Sequence, residues 1–256
     1  MSDTAELLQA VAEASKVAGD VALRYFGTGV AVEWKGDGSP VTIADQSAEE
    51  AARAWISARF PNDTILGEEF GLTGTGTGRR WLIDPIDGTK SFVAGTPLWG
   101  TLIAVALGDE VLAGAINCAA AGELIAGARG EGAWCNGARC RVSTQSVLAD
   151  SVILTTDARF PGREARRDAW QTLAAEARVV RTWGDCFGYL LVATGRADAM
   201  VDDRMNPWDS ACLMPIIEEA GGVLTDWKGR RTAFGGDTIA TNRELAVAIR
   251  SRLVEP

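Results

Sequence analysis

Trp81-Leu82-Ile83-Asp84-Pro85-Ile86-Asp87-Gly88-Thr89-Lys90 is the stretch around which the chain is organised. The apolar run Trp81 to Ile83 reads as a buried strand end. It is expected to break at Asp84-Pro85, because proline lacks an N–H and biases its predecessor away from helix. Asp84 and Asp87 then fall in a turn, and Gly88 permits a tight backbone there. Thr89 is predicted to start a helix whose first turn is Lys90 to Val93. Free N–H groups at such a start, with the positive end of the helix dipole, suit a phosphate. Two carboxylates beside a phosphate repel it unless divalent cations lie between them, so the stretch asks for both together. An acidic Asp-Gly turn alone is commonplace. The full string Asp-Pro-Ile-Asp-Gly-Thr is not, arising by chance on the order of once in ten million windows.

The rest of the composition narrows the chemistry. A chain of 256 residues with 47% hydrophobic and 23% charged content can bury a substantial core. Its net charge of −9 argues against a nucleic-acid backbone or an anionic membrane as partner. The absence of histidine removes phosphohistidine chemistry, imidazole bases and His-ligated zinc together. Catalysis must run on carboxylates, hydroxyls, Lys, Arg or oxygen-bound metals. Cys118, Cys135, Cys140, Cys186 and Cys212 form no Cys-x-x-Cys pair and read as free thiols in a reducing compartment. Neither a signal-peptide run nor a membrane-length apolar stretch is evident, so a cytoplasmic protein is expected.

Outward from the central stretch, Leu7, Val11, Ala14, Ala18, Val21 and Tyr25 mark one face of a helix capped by Ser2, Asp3 or Thr4 and running to about residue 26. A strand at 31–35 leads to Gly36-Asp37-Gly38-Ser39-Pro40, a connector or a lid. A second helix is predicted over 46–60, with Asp45 near its cap. Glu68 and Glu69 follow a short strand, and if the strand persists only one of them faces inward. Residues 72–80 read as an exposed loop. Strands at 101–107, 111–119, 123–129 and 132–135 form an antiparallel meander. From about Ser143 strands and helices alternate, so the chain divides into an N-terminal half (1–142) and a C-terminal α/β half (143–256) within one catalytic unit. Asp185 sits before an apolar helix at 186–194, where a cap is the simplest role. Asp202-Asp203 close a strand, and Asp209 lies in the first turn of a helix predicted to run from 207 or 208 to Ala220, stopped by Gly221-Gly222.

Taken together, these residues resemble the inositol monophosphatase family of metal-dependent phosphatases. The resemblance rests on Lys35, Asp37, Ser39-Pro40-Val41-Thr42 with Asp45, Gly67-Glu68-Glu69, Asp84-Pro85-Ile86-Asp87-Gly88-Thr89, Trp208-Asp209-Ser210-Ala211 and Glu219-Ala220-Gly221-Gly222. It implies an α/β layered sandwich of αβαβα order, usually a homodimer. It also implies that Glu68, Asp84, Asp87, Asp209 and the Ile86 carbonyl hold two or three Mg²⁺ ions. Gly88 and Thr89 N–H groups would bind the phosphate, while the Thr89 hydroxyl with Asp45 and Glu68 would orient and deprotonate the attacking water. Mg²⁺ favours such hard oxygen ligands and lowers the pKa of bound water, so no histidine base is needed.

Substrate is the finer question. Trp183-Gly184-Asp185-Cys186-Phe187-Gly188-Tyr189 resembles the histidinol-phosphatase branch of the family. An acid at Asp185, supported by Asp202 or Asp203, suits a small phosphate monoester carrying a cationic amine better than a neutral polyol. Asp87, Asp185, Asp202 and Asp209 are the expected substrate contacts. The competing readings are an inositol-1-phosphate phosphatase, then a sugar bisphosphatase or nucleotide 3′-phosphatase, and, from another class, an idle phosphate-binding regulatory module. A degenerate module would be expected to lose some of Asp45, Glu68, Asp84, Asp87, Thr89 and Asp209, and all are present.

Overall fold

The apolar stripe of the first helix becomes the outer layer of the protein in a computed structural model that describes residues 3–36, 38, 40–76 and 78–253. Ser2, Asp37, Ser39 and Thr77 lie outside the described residues, so the Ser2 cap and the Asp37 and Ser39 matches cannot be placed. Helix α1 (Asp3–Leu23) buries Leu7, Val11, Ala14 and Ala18. A short hairpin, β1 (Val32–Trp34) and β2 (Pro40–Thr42), leads to α2 (Ile43–Arg59). The second helix begins three residues earlier than the sequence suggests. Thr42 is its N-cap, and Asp45 is the third helical residue, reaching back to the Thr42 N–H in a capping box.

The meander is part of an eight-stranded sheet. Its strands are β3 (Thr64–Gly67), β4 (Gly71–Thr73) and β5 (Arg80–Asp87), then, after the short helix α3 (Thr89–Val93), β6 (Gly100–Leu107), β7 (Glu110–Cys118), β8 (Glu123–Ala128), β9 (Gly132–Cys135) and β10 (Ala138–Arg139). Spatial order is β10-β9-β8-β7-β6-β5-β3-β4, antiparallel throughout except for the parallel pair β3/β5. Part of the loop predicted over 72–80 is therefore strand, in β4.

Strand β5 runs through Asp84-Pro85 rather than stopping there. Proline's missing N–H costs nothing at that point. Pairing with β3 has already ended at Ile83, and pairing with β6 skips from Asp84 to Asp87 across a bulge. The Pro85 carbonyl is satisfied by the Thr101 hydroxyl at 2.8 Å.

The C-terminal half supplies β11 (Val152–Leu154), α4 (Glu164–Glu176), β12 (Val179–Arg181), α5 (Asp185–Ala193), β13 (Ala199–Asp202), α6 (Pro207–Ser210), α7 (Leu213–Glu219), β14 (Val223–Thr225), β15 (Thr238–Thr241) and α8 (Ala246–Leu253). Its five-stranded sheet has the order β12-β11-β13-β15-β14. The single helix predicted from 207 to 220 is broken into α6 and α7. Pro215 can donate no bond to the Ala211 carbonyl, and its ring crowds that carbonyl, so the helical run is interrupted there. Gly221, at φ 90°, ends α7 as expected.

Three apolar clusters show the layering. One joins α1 and α2 to the outer face of the large sheet through Trp81, Ile83, Ile103 and Ala115. The second fills the space between the sheets with Leu82, Ile116, Leu190, Met200, Ile216 and Ala240. The third packs α4 and α8 on the far face of the small sheet through Trp170, Leu173, Val201 and Ile249. The order is helix, sheet, helix, sheet, helix. Close approach matters where α6 meets α7: a Cβ on Gly114 of β7 would lie 2.5 Å from the Cys212 backbone. That glycine lets α6, and with it Asp209, sit against the large sheet. Among the described residues, no helix is long and apolar enough to cross a membrane, and all five cysteines are free thiols.

Candidate active site

The acids that were scattered along the chain meet where β5 ends. Asp84 and Asp87 come from the bulged end of that strand, Glu68 from the turn after β3, Asp45 from the first turn of α2 and Asp209 from the first turn of α6. Each is held locally. Asp84 Oδ1 accepts from the Ile86 N–H at 3.0 Å, and Asp45 Oδ2 from the N–H and hydroxyl of Thr42, both at 2.7 Å. Asp209 Oδ2 accepts from the Asn206 N–H at 2.7 Å, and Asp87 Oδ2 from the Cys186 N–H.

Glu68 and Glu69 do not point in opposite directions. The strand ends at Gly67, and in the turn beyond it both carboxylates reach the Lys35 ammonium at 2.7 Å. Burial would depress that ammonium, but its hydrogen bonds to the two carboxylates outweigh burial and raise it above its ordinary value. Burial pushes the Glu69 carboxyl up to about 7 even with Lys35 opposing it.

The electrostatics of the cluster are one-sided. Burial first, and then the charges of Glu68, Asp87, Asp209 and Asp45, hold the Asp84 carboxyl well above the ordinary range. Asp87 is raised by burial and by the charges of Asp185 and Asp209, against the Cys186 hydrogen bond. Burial is the main force lifting Asp209 to about 7, with the Asn206 N–H opposing it. Burial also raises Asp45, with Thr42 opposing. Burial is the largest influence on Asp84, Asp87 and Asp209, and neighbouring carboxylates add to it in disfavouring the charged forms. A bound cation would supply them with counter-charge.

A divalent metal fits that need by the chemistry of its donors, which are carboxylate oxygens and the Ile86 carbonyl. Among the described residues, no three acidic or thiol side chains are already arranged as a cage. Mg²⁺ does not require one. It keeps several waters and is commonly held by one or two carboxylates with the substrate's phosphate.

Beside the cluster, Gly88 precedes α3 at φ 85°, a left-handed conformation that favours glycine. The Thr89 hydroxyl donates to the Ile86 carbonyl at 3.0 Å. A Cβ at Gly88 would lie 2.9 Å from the Leu98 carbonyl and 3.1 Å from Asp185 Oδ2, so the Asp185 carboxylate overhangs this turn. Asp185 is not the cap of α5. Gly184 occupies that position, and Asp185 is the first helical residue, at φ 51°.

Two recesses open here, of about 250 Å³ and about 540 Å³, and both are bordered by Lys90, Thr156, Asp157 and Asp185. The smaller is also lined by Asp87, Asp202, Asp203 and Asp209. Asp185 is partly exposed and lines both recesses. Burial in that recess and the Asp202 charge push its carboxyl up to about 7, with Lys90 pulling the other way. Asp202 is engaged by the protein through both oxygens, while Asp203 turns toward Arg163 at 3.4 Å.

Sequence reasoning missed Lys90, Thr156 and Asp157 as wall residues, and Tyr189 as the partner of Asp202. A signal existed for two of them, since Thr156-Asp157 follow the carboxyl end of a strand in the α/β half, where ligands commonly bind.

Comparison with known proteins places this geometry in context. A sequence model described as "Inositol monophosphatase family" matches residues 3–255. A protein named histidinol-phosphatase from Chlorobaculum parvum is 43% identical over 248 residues, covering 94% of this chain and 96% of its own length. Another of that name from Mycobacterium tuberculosis is 35% identical, covering 97% of each. The crystal structure of extragenic suppressor protein suhB from Bartonella henselae superposes with a TM-score of 0.90 at 31% identity, covering 97% of this chain and 98% of the other.

Proposed function

Because the chain belongs to the inositol monophosphatase family, we propose that this metal-dependent phosphomonoesterase hydrolyses L-histidinol phosphate to L-histidinol and phosphate. The observation that carries the substrate is the Asp185 carboxylate hanging over the Gly88 turn at the wall of both recesses. A phosphate seated at Gly88 and Thr89 would extend its organic part past Asp185. A cationic amine gains a charge-assisted partner there, whereas a polyol meets only a half-desolvated charge. The similarity to proteins named histidinol-phosphatase supports the same choice.

In this reading Glu68, Asp84, Asp87, Asp209 and the Ile86 carbonyl hold two or three Mg²⁺ ions. Bound there, the ions would neutralise the phosphoryl oxygens and acidify the attacking water. The remaining work falls to the chain's own groups. The N–H groups of Gly88 and Thr89 receive phosphate oxygens at the start of α3. The Thr89 hydroxyl, now on the Ile86 carbonyl, orients the water, and Glu68 with Asp45 takes its proton. Lys35 bridges Glu68 and Glu69, so it can stay on Glu69 when Glu68 turns to the water. Asp185 and Asp87 receive the amine end of the substrate, with Asp202 behind Asp185. The enzyme is proposed to act as a homodimer in the cytoplasm, the former testable by a sedimentation measurement that reads twice the chain mass.

The deciding experiment compares kcat/KM for L-histidinol phosphate and inositol 1-phosphate with Mg²⁺ present. A clear preference for the first is expected. A preference for inositol 1-phosphate would refute the substrate assignment.

A further inference from the structure

Asp202 does not meet the recess as a free charge. Its Oδ1 accepts from the Thr156 N–H at 2.9 Å and its Oδ2 from the Tyr189 hydroxyl at 2.8 Å. Behind them, Tyr189 meets the Thr238 hydroxyl, and Trp227 Nε1 donates to the Asp202 carbonyl at 2.9 Å. Tyr189, Asp202, Trp227 and Thr238 are all buried, so the group forms a rigid polar support inside the small sheet. Such a network, with its members satisfied, rigidifies what it touches.

What it touches is Thr156, and Thr156 touches Asp185. The Thr156 Oγ1 accepts from the Asp185 N–H at 2.8 Å. A Cβ on Gly184 would lie 2.5 Å from Thr156 Cα, so the residues after β11 press directly on the turn that opens α5. Asp185 is held at φ 51°, a conformation that costs an L-residue roughly 1–2 kcal/mol, less for Asp than for most. Backbone of this kind persists only where its surroundings over-determine it. Here the anchors are on consecutive N–H groups: Asp185 to Thr156, and Cys186 to Asp87.

We propose that Thr156, braced by Asp202 and Tyr189, is a positioning residue that aims the Asp185 carboxylate at the cationic end of the substrate and thereby sets the preference for it. The proposal rests on the substrate reading above. It gives Asp202 a role behind the recess wall instead of in contact with substrate. It would let a residue with no charge of its own influence charge selection.

Thr156→Val tests it. Valine keeps the shape and the backbone N–H to Asp202 and removes the hydroxyl, which accepts from the Asp185 N–H and also favours the Asp202 carboxylate. KM for L-histidinol phosphate is expected to rise roughly three- to tenfold, the worth of one hydrogen bond, with kcat nearly unchanged. The preference over inositol 1-phosphate should narrow by the same factor. Hydrogen exchange at the Asp185 amide should speed up in Thr156→Val, and Thr156→Ser should restore both readouts. Equal losses on the two substrates would overturn the proposal, since that is what a merely structural role produces. Unchanged protection of the Asp185 amide in the valine variant would overturn it whichever substrate the wild type prefers. A wild-type preference for inositol 1-phosphate would sink the substrate reading instead, leaving amide protection to judge whether Thr156 holds Asp185.

Discussion

Replacing Asp185 by asparagine removes the charge that the substrate reading depends on and leaves almost everything else in place. Asparagine tolerates the left-handed conformation as well as aspartate does, so the φ of 51° is no obstacle. The anchoring bond to Thr156 uses the backbone N–H and survives the change. A carboxylate bonded to an ammonium contributes about 1.5–3 kcal/mol, and the neutral amide that replaces it still contributes about 0.5–1.5 kcal/mol. The difference, about 1–2 kcal/mol, is roughly five- to thirtyfold in kcat/KM.

That loss should fall on L-histidinol phosphate and spare inositol 1-phosphate, which offers only hydroxyls. Stability should not fall. Burial already pushes the Asp185 carboxyl up to about 7, so the folded protein gains nothing from its charge. The assay is a pair of kcat/KM measurements on wild type and variant, with a thermal melt of each. An unaltered preference ratio with an intact fold would show that Asp185 does not meet the amine.

Metal dependence has a readout besides turnover. A chelator should abolish activity, and adding Mg²⁺ to metal-free protein should raise its melting temperature, because the ions bind only the folded cluster; full activity without metal would refute the mechanism. Asp84→Asn and Asp209→Asn should each lower kcat by orders of magnitude. In metal-free protein both variants should melt no lower than wild type, since each relieves the burial and like-charge repulsion that raise these carboxyls; a large loss of apo stability would contradict that electrostatic picture. Thr89→Ala should reduce kcat more than it raises KM, because the backbone N–H groups remain while the hydroxyl that orients water is gone. Gly88→Ala should cost roughly 1–2 kcal/mol of stability from its φ of 85° alone, with further loss from the close Leu98 carbonyl, and a melt equal to wild type would show that the turn can relax.

Much of this protein could be read from its residues in order. The α1 stripe, the meander and the α/β alternation followed from local periodicity and turn chemistry, which depend on near neighbours. The reading of Asp84 to Thr89 as oxygen ligands beside a phosphate seat, which the proposed function keeps, came from composition: without histidine, paired acids beside a helix start favour metal and phosphate together. Some misread elements had local causes, the Thr42 cap of α2 and Pro215 between α6 and α7, and others depended on partners distant in sequence. Whether β5 could pass through Pro85 depended on β3 and β6 requiring no N–H there. Taken alone, Asp45 and Asp209 each read as an ordinary acid near a helix start, and only the family resemblance gave them site roles; each does sit third in a capping box. Only the packing of α2 and α6 against the same end of β5 makes them members of one charged cluster. Asp202 drew attention as a substrate contact because it is an acid near the right strand end. Its burial beneath Tyr189 and Thr156 was beyond sequence reading, since hydrogen-bond partners 13 and 46 residues away are chosen by the fold. Local chemistry determined what each residue could do, and tertiary packing decided which of them could do it together.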